Sequence, residues 1–188
     1  MEILRAVAHL QSISVYQQGK PIFEKKTPNE THEDFEKRIW RERAHYDENG
    51  RIFIPPMQFK KCLENAAQFL SMSIPGMGKS KYTKHFKAGV LVIDALELPI
   101  KKEEVPGSWV FVPSDGRRGG ASRVMKCFPT IHEWQGDVTF HILDSVISED
   151  VFRTHLEQAG SFIGIGVFRP MNGGYYGRFI VESLEWDV

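Results

Sequence analysis

Apolar and polar positions alternate over the first fifteen residues. Leu4, Ala6, Ala8 and Leu10 fall on one side and Arg5, Val7 and His9 on the other, which predicts one long strand over Glu2 to Val15. Gln17-Gln18-Gly19-Lys20-Pro21 breaks that strand. Thr31 precedes Asp34 by three residues, a relative of the capping box, and Phe35, Ile39 and Trp40 follow at helical spacing amid charges. A short, mostly exposed helix is expected there. Asn49-Gly50 marks a tight turn, Arg51 to Ile54 a brief extended segment, and Pro55-Pro56 the entry to a helix. Phe59, Cys62, Leu63, Ala66, Ala67 and Leu70 then form one stripe of an amphipathic helix.

Val90 to Leu96 and Trp109 to Val112 read as short apolar strands. Asp137 to Leu143 alternates Val138, Phe140 and Ile142 with Thr139 and His141, a strand with one wet face. A second helix follows, with Ser148 as its cap, Glu149 and Asp150 at its positive end and Val151, Phe152, His155, Leu156 and Ala159 as its stripe. Gly160 is expected to stop it. Gly177 to Trp186 is the last strand. The order gives the βαββαβ plan: an α+β chain with a modified ferredoxin-like antiparallel sheet, two main helices and inserted basic loops. Its 188 residues suit a single domain, 1–188, with insertions at about 17–56 and 97–136.

Composition narrows the classes. A hydrophobic share of 41% with 26% charged residues excludes a disordered chain. No apolar run approaches the ~18–20 residues that cross a bilayer, and Met1-Glu2 starts no signal peptide, so a soluble, cytoplasmic protein without a membrane partner is expected. Cys62 and Cys127 are too few for a disulfide scaffold and lack zinc-site spacing, which leaves two reduced, partly buried thiols.

Charge adds an asymmetry that the net value of zero hides. Ser71 to Ile93, Gly116 to His132 and Gln158 to Val181 contain no Asp or Glu and carry ten Lys or Arg between them. The other 124 residues have a net charge of −10. If the three stretches meet on one face, that face attracts phosphates.

Several motifs fail on inspection. Gly76-Met77-Gly78-Lys79-Ser80 ends like a phosphate-binding P-loop, yet Ser73 stands where its first glycine belongs, and a helix rather than a strand precedes it. Gly164-Ile165-Gly166 lacks the third glycine of a dinucleotide fingerprint. The seven histidines form no H-E-x-x-H or i, i+4 pair, and Asp94, Asp137 and Asp144 are single acids near strand ends, so neither a metal nor another cofactor is expected.

What remains is basic, glycine-rich and aromatic sequence. Asp115-Gly116-Arg117-Arg118-Gly119-Gly120-Ala121-Ser122-Arg123 lets backbone lie against a phosphate chain among guanidinium groups. Phe168-Arg169-Pro170-Met171-Asn172-Gly173-Gly174-Tyr175-Tyr176-Gly177-Arg178-Phe179 adds stacking faces to charge.

Three segments resemble the RAMP superfamily, the ferredoxin-like backbone and crRNA-processing subunits of CRISPR effector complexes. Leu4 to Ser14 resembles the first strand, Ile54-Pro55-Pro56-Met57-Gln58-Phe59-Lys60-Lys61-Cys62-Leu63 the "I-P-G-S-S-L-K-G-x-L" entry to the first helix, and Gly164 to Phe179 the glycine-rich segment before the final strand. The resemblance implies binding of single-stranded RNA or DNA by a subunit that lines up with copies of itself, and implies that Lys60 has a counterpart able to contact RNA. The chain also resembles phage-encoded proteins of this size, so a stand-alone phage relative is implied.

The expected function is therefore non-enzymatic binding of single-stranded RNA or DNA, with homo-oligomers assembling on the strand. Lys79, Lys81, Lys84, Lys87, Arg117, Arg118, Arg123, Lys126, Arg169 and Arg178 are expected to hold phosphates, Tyr82, Tyr175 and Tyr176 to stack bases, and His85 to contact either. Copies would meet through an acidic surface including Glu30, Glu33, Asp34 and Glu36. Two alternatives stand beside this reading. One is a metal-independent endoribonuclease with His85 or His141 as general acid or base; the other is a protein-binding module or inhibitor of a host complex.

Overall fold

The computed structural model describes residues 3–117, 119 and 122–187. The first strand β1 runs over Leu4–Ser12, and a two-residue strand β2 (Tyr16–Gln17) follows the bend. Helix α1 (His32–Ile39) starts where the sequence places a cap: Thr31 Oγ1 accepts the Asp34 N–H at 3.1 Å. Next come β3 (Arg51–Ile54) and the long helix α2 (Pro56–Leu70), with Pro55 as its N-cap and Pro56 as its first residue, positions where a missing N–H costs no helical hydrogen bond. Then follow α3 (Thr83–Gly89), β4 (Val90–Leu91), β5 (Leu96–Lys101), β6 (Gly107–Pro113), β7 (Arg123–Ile131), β8 (Gln135–Ile142), α4 (Glu149–Gln158) and β9 (Phe179–Trp186).

The main sheet has the order β4-β8-β1-β9, all neighbours antiparallel. Taken with α2 between β1 and β4 and α4 between β8 and β9, this is the ferredoxin-like arrangement the sequence predicts. One face is buried. Ala6, Ala8 and Leu10 of β1 and Val138, Phe140 and Ile142 of β8 pack with Phe59, Leu63, Ala66 and Ala67 of α2 and Phe152 and Leu156 of α4. The alanines on both β1 and α2 leave room for helix and sheet to approach, and the aromatic rings of Phe59, Trp134 and Phe179 fill the wider end with edge contacts. The opposite face, with Arg5, Val7, His9 and Gln11, is at least partly exposed.

A second sheet, β2-β7-β6, and a two-stranded β3-β5 pair complete the architecture. β7 was not expected, because Arg123 to Ile131 lacks alternation; it forms through a continuous antiparallel ladder with β6 and through Tyr16 and Gln17 of β2. The expected strand Val90 to Leu96 is confined to Val90–Leu91, and a helix missed in the sequence, α3, precedes it. Seven residues are too few to show a period, and α3 is held from outside: Lys60 Nζ donates to the Phe86 and Lys87 carbonyls, both at 2.8 Å. β5 carries Pro99 and pairs on one side only, so its missing N–H leaves no ladder bond empty.

Two helix ends also differ from expectation. The Ser148 side chain makes no cap bond to α4. Gly160 does not end that helix, because the chain continues through one wide π-type turn, Ala159–Ile163, and leaves at Gly164. Gly160 serves packing instead: a Cβ there would lie 2.1 Å from the Phe179 carbonyl oxygen, so only glycine lets this turn lie on β9. No helix among the described residues is long and apolar enough to cross a membrane.

Candidate nucleic-acid interface

The glycine-rich segment between Gly164 and Gly177 is sewn down. Ile165 N–H donates to Gly177 O at 3.0 Å, Gly177 N–H to Val15 O at 2.7 Å and Val167 N–H to Gln17 O at 3.1 Å, which fixes the segment to the bend between β1 and β2. Arg178 locks it further, its Nε donating to Ser161 O and its Nη1 to Tyr175 O. Phe168 adopts a left-handed φ of 54°, an unfavourable conformation for a bulky residue; Tyr176 N–H donates to its carbonyl, and its ring stands edge-on to Phe128 and Tyr176.

Clefts flank this segment on two sides. One of about 330 Å³ lies against the first turns of α2, between Gln58, Lys61 and Asn65 and the Gly164–Gly166 backbone. The other, about 690 Å³, lies against the β6–β7 hairpin at Gly116, Lys126 and Phe128. Gly166 and Arg169 line both, so the two clefts adjoin beside the glycine-rich backbone and are described together as one groove. Beyond Lys126 and Phe128 it runs on toward Lys20 and Arg43. Its cations are Lys61, Arg169, Lys126 and Lys20, while the two acids at its far end are paired, Glu36 with Arg43 and Glu24 with Arg38. A cleft of similar size, about 650 Å³, lies at the β8–α4 junction, but Asp144, Glu149 and Asp187 line it and would repel a phosphate chain.

His45 borders the groove with its pKa pushed below the usual histidine value, first by burial and then by the charge of Lys20. Cys62 sits beneath it, its Sγ donating to Ala159 O at 3.3 Å and its thiol pushed up to about 12 by burial. It is an inert core thiol.

The predicted site residues divide. Lys126 and Arg169 line the groove, and Arg117 and Arg123 are exposed at the hairpin end beside it, with Asp115 Oδ1 accepting the Arg117 N–H at 2.9 Å. Arg118 lies outside the described residues. Tyr175 is 78% exposed, and Tyr176 is half-buried. Arg178 spends its guanidinium on backbone carbonyls, so its first role is to hold the segment. Lys79 and Lys81 are exposed near the C-terminal end of α2, where Lys81 Nζ donates to Ser71 Oγ at 2.5 Å.

Other expectations are corrected. Tyr82 is only 4% exposed, its ring edge-on to Phe86 and His155, and cannot offer a stacking face. Lys84, His85 and Lys87 lie on α3 and none of them lines the groove; His85 Nδ1 meets Asp144 Oδ2 at 2.6 Å, and its Nε2 is enclosed without a partner. Lys60 is 7% exposed and committed to the α3 carbonyls and Glu64, so it is a core lysine. The basic stretches therefore meet only in part, with the second and third sharing the groove. The acidic surface at α1 is compensated in part: Glu30 pairs with Arg38, Glu33 with Lys37, and Glu36 is buried, while the exposed Asp34 carboxylate accepts only the Thr31 hydroxyl among the described residues. His9 holds Asp137 at 2.7 Å and His141 lies opposite Arg5 on the exposed sheet face. Among the described residues no three His, Cys, Asp or Glu side chains are grouped as a metal would need.

Sequence reasoning missed Lys61, Gln58 and Asn65, because polar residues off an apolar stripe look like any solvated helix face. It missed Phe128 because β7 itself was not visible.

No family model matches the chain, and no curated protein matches it by sequence. Solved structures do. A chain of a type III-B Cmr-beta complex, solved bound to cognate target RNA, superposes with a TM-score of 0.54 at 12% identity over 99% of this chain. This chain spans 61% of that one. Cmr6 from Pyrococcus furiosus gives 0.50 at 12% identity, covering 96% of this chain and 99% of Cmr6. The likeness is one of fold, and it agrees with the ferredoxin-like α+β architecture expected from the sequence.

Proposed function

We propose that this chain binds single-stranded nucleic acid without cleaving it. The observation that carries the reading is the groove beside Gly164–Gly166, where Lys61, Arg169 and Lys126 line two clefts that adjoin at Arg169 and the half-buried Gly166. Glycine backbone allows close approach of a phosphate chain, and the flanking cations reward it. The Cmr-beta complex with its target RNA supports RNA as the first strand to test. That the chain works alone, as a phage-encoded relative, and assembles along the strand are finer parts of the same reading, carried by the sequence resemblance. The enzymatic alternative is less favoured at His85, whose second nitrogen is enclosed, and rests on the half-exposed His141.

A gel-shift panel with single-stranded RNA, single-stranded DNA and duplex over a range of salt tests it. With about four to six phosphates engaged at ~0.7 log units each, affinity should fall with a log–log slope of about −3 to −4. A slope flatter than about −1, or equal preference for duplex, overturns the reading. Strands of increasing length, followed by mass photometry, test assembly: complexes must grow with length, and one protomer at every length rejects the cooperative part.

A further inference from the structure

Two exposed phenylalanines stand a few residues beyond the lining of the groove. On α2, Asn65 lines the groove and Phe69 stands one helical turn beyond it; across from it, Gly164 lines the groove and Phe162 stands two residues before. The two rings meet, their centroids 5.6 Å apart and their planes 25° from parallel. Yet Phe69 remains 59% and Phe162 51% exposed. Two stacked aromatic rings facing water near a groove offer a flat apolar surface of the size and shape that another flat ring covers.

The surroundings define that ring. Ser71, two residues after Phe69, accepts from Lys81 Nζ, and Ser161, next to Phe162, accepts from Arg178. Neither Ser71–Ile93 nor Gln158–Val181 contains an acidic residue, and Glu64, the acid nearest along α2, is paired with Lys60 and Lys61. A flat apolar surface beside the exposed Lys81, with Arg178 committed to the backbone next to it, suits a nucleobase whose phosphate is held on the Lys81 side. The rings already touch, so a base adds to the outer face of the pair rather than entering between them.

We propose that Phe69 and Phe162 form a base-stacking site for one unpaired nucleobase of a strand that leaves the groove at the end of α2. This rests on the single-strand reading above. It also gives the first basic stretch a place at the site through Lys81, although Lys84 and Lys87 lie elsewhere.

The test measures binding of the full chain to a single-stranded oligonucleotide and to an abasic strand of equal length, by fluorescence anisotropy. Phe69→Ala and Phe162→Ala should each weaken binding of the base-bearing strand by about 5- to 150-fold, the factor that ~1–3 kcal/mol of stacking gives at 25 °C. Binding of the abasic strand and the salt slope should stay as in the parent. Phe69→Leu, which keeps apolar bulk on the helix but loses the flat ring, should behave like the alanine variant, and unchanged melting temperatures show that the fold is intact. A 2-aminopurine base in the strand should be quenched by the parent and not by Phe162→Ala. If the parent binds and the variants keep its ratio of base-bearing to abasic affinity, the stacking site is wrong and the groove reading stands. If the parent binds no strand, both fall.

Discussion

Glu36 on α1 and Cys127 on β7 are joined across 91 positions of sequence, the Glu36 carboxylate accepting the Cys127 N–H at 2.8 Å. Arg43 closes the contact by donating to both Glu36 oxygens and, at 3.0 Å, to Cys127 O. Glu36 is 1% exposed, so the carboxylate is affordable only because all its partners are present. Removing one side of such a pair leaves a buried charge alone. Glu36→Ala should therefore cost about 3–5 kcal/mol of unfolding free energy in urea titrations. A cost below about 1 kcal/mol would mean that β7, and Lys126 with it, is positioned by other contacts.

The groove cations should behave differently. Lys126 lines the groove without a carboxylate partner among the described residues, so Lys126→Ala should leave the melting temperature nearly unchanged and reduce the salt slope by about 0.7, one phosphate on a single strand. Arg117→Ala with Arg123→Ala, both exposed, should weaken all sequences alike. Sequence-dependent losses would show instead that the hairpin reads bases.

How much of this was legible depends on the kind of signal. The stripe from Phe59 to Ala67 and the alternation in β1 and β8 record burial on one face, so the ferredoxin-like core could be read directly. β7 could not, because its order comes from pairing with β6 and from the Glu36 contact, neither of which leaves a local period. The site was half legible for the same reason. Basic glycine-rich segments announce themselves, but whether a given Lys or Tyr faces the groove or the core is decided by distant partners, as Lys60 and Tyr82 show. Phe69 and Phe162 were invisible because exposure of an aromatic ring is a property of the fold.

His155 gives the pH dependence. It is fully buried, stacked on Phe86 with ring centroids 4.2 Å apart, with Nδ1 against Val151 O and Nε2 without a partner. Burial pushes its pKa below the usual histidine value, the Val151 carbonyl opposing it. In the window between the folded and unfolded values the unfolded chain binds more protons, so stability rises with pH there and is lost as pH falls through about 6.5. His45 acts in the same direction. Melting should drop between pH 7.5 and 5.5, and His155→Leu should shrink that drop without abolishing it. An unchanged drop would place the acid sensitivity elsewhere.

The last prediction compares two glycines with the same backbone angle. Gly76 and Gly177 both have φ of +75°, a left-handed conformation that costs roughly 1–2 kcal/mol for a residue with a side chain. Their surroundings differ. Around Gly76 a Cβ would meet nothing within 4 Å, whereas at Gly177 it would lie 1.8 Å from the Ile165 carbonyl oxygen. Gly177 also exchanges backbone bonds with Ile165 and Val15, so moving it away unpicks the segment beside which the groove lies. Gly76→Ala should thus cost only the conformational part, a fall of a few degrees in melting temperature for a chain of this size, with strand binding intact. Gly177→Ala should cost the same part plus the displacement of Ile165, giving a larger fall in melting temperature and a loss of strand binding measured well below the midpoint, where the variant is still folded. Equal effects of the two substitutions on melting would mean that the Gly164–Gly177 segment yields to a methyl group, and that its close packing does not set the groove.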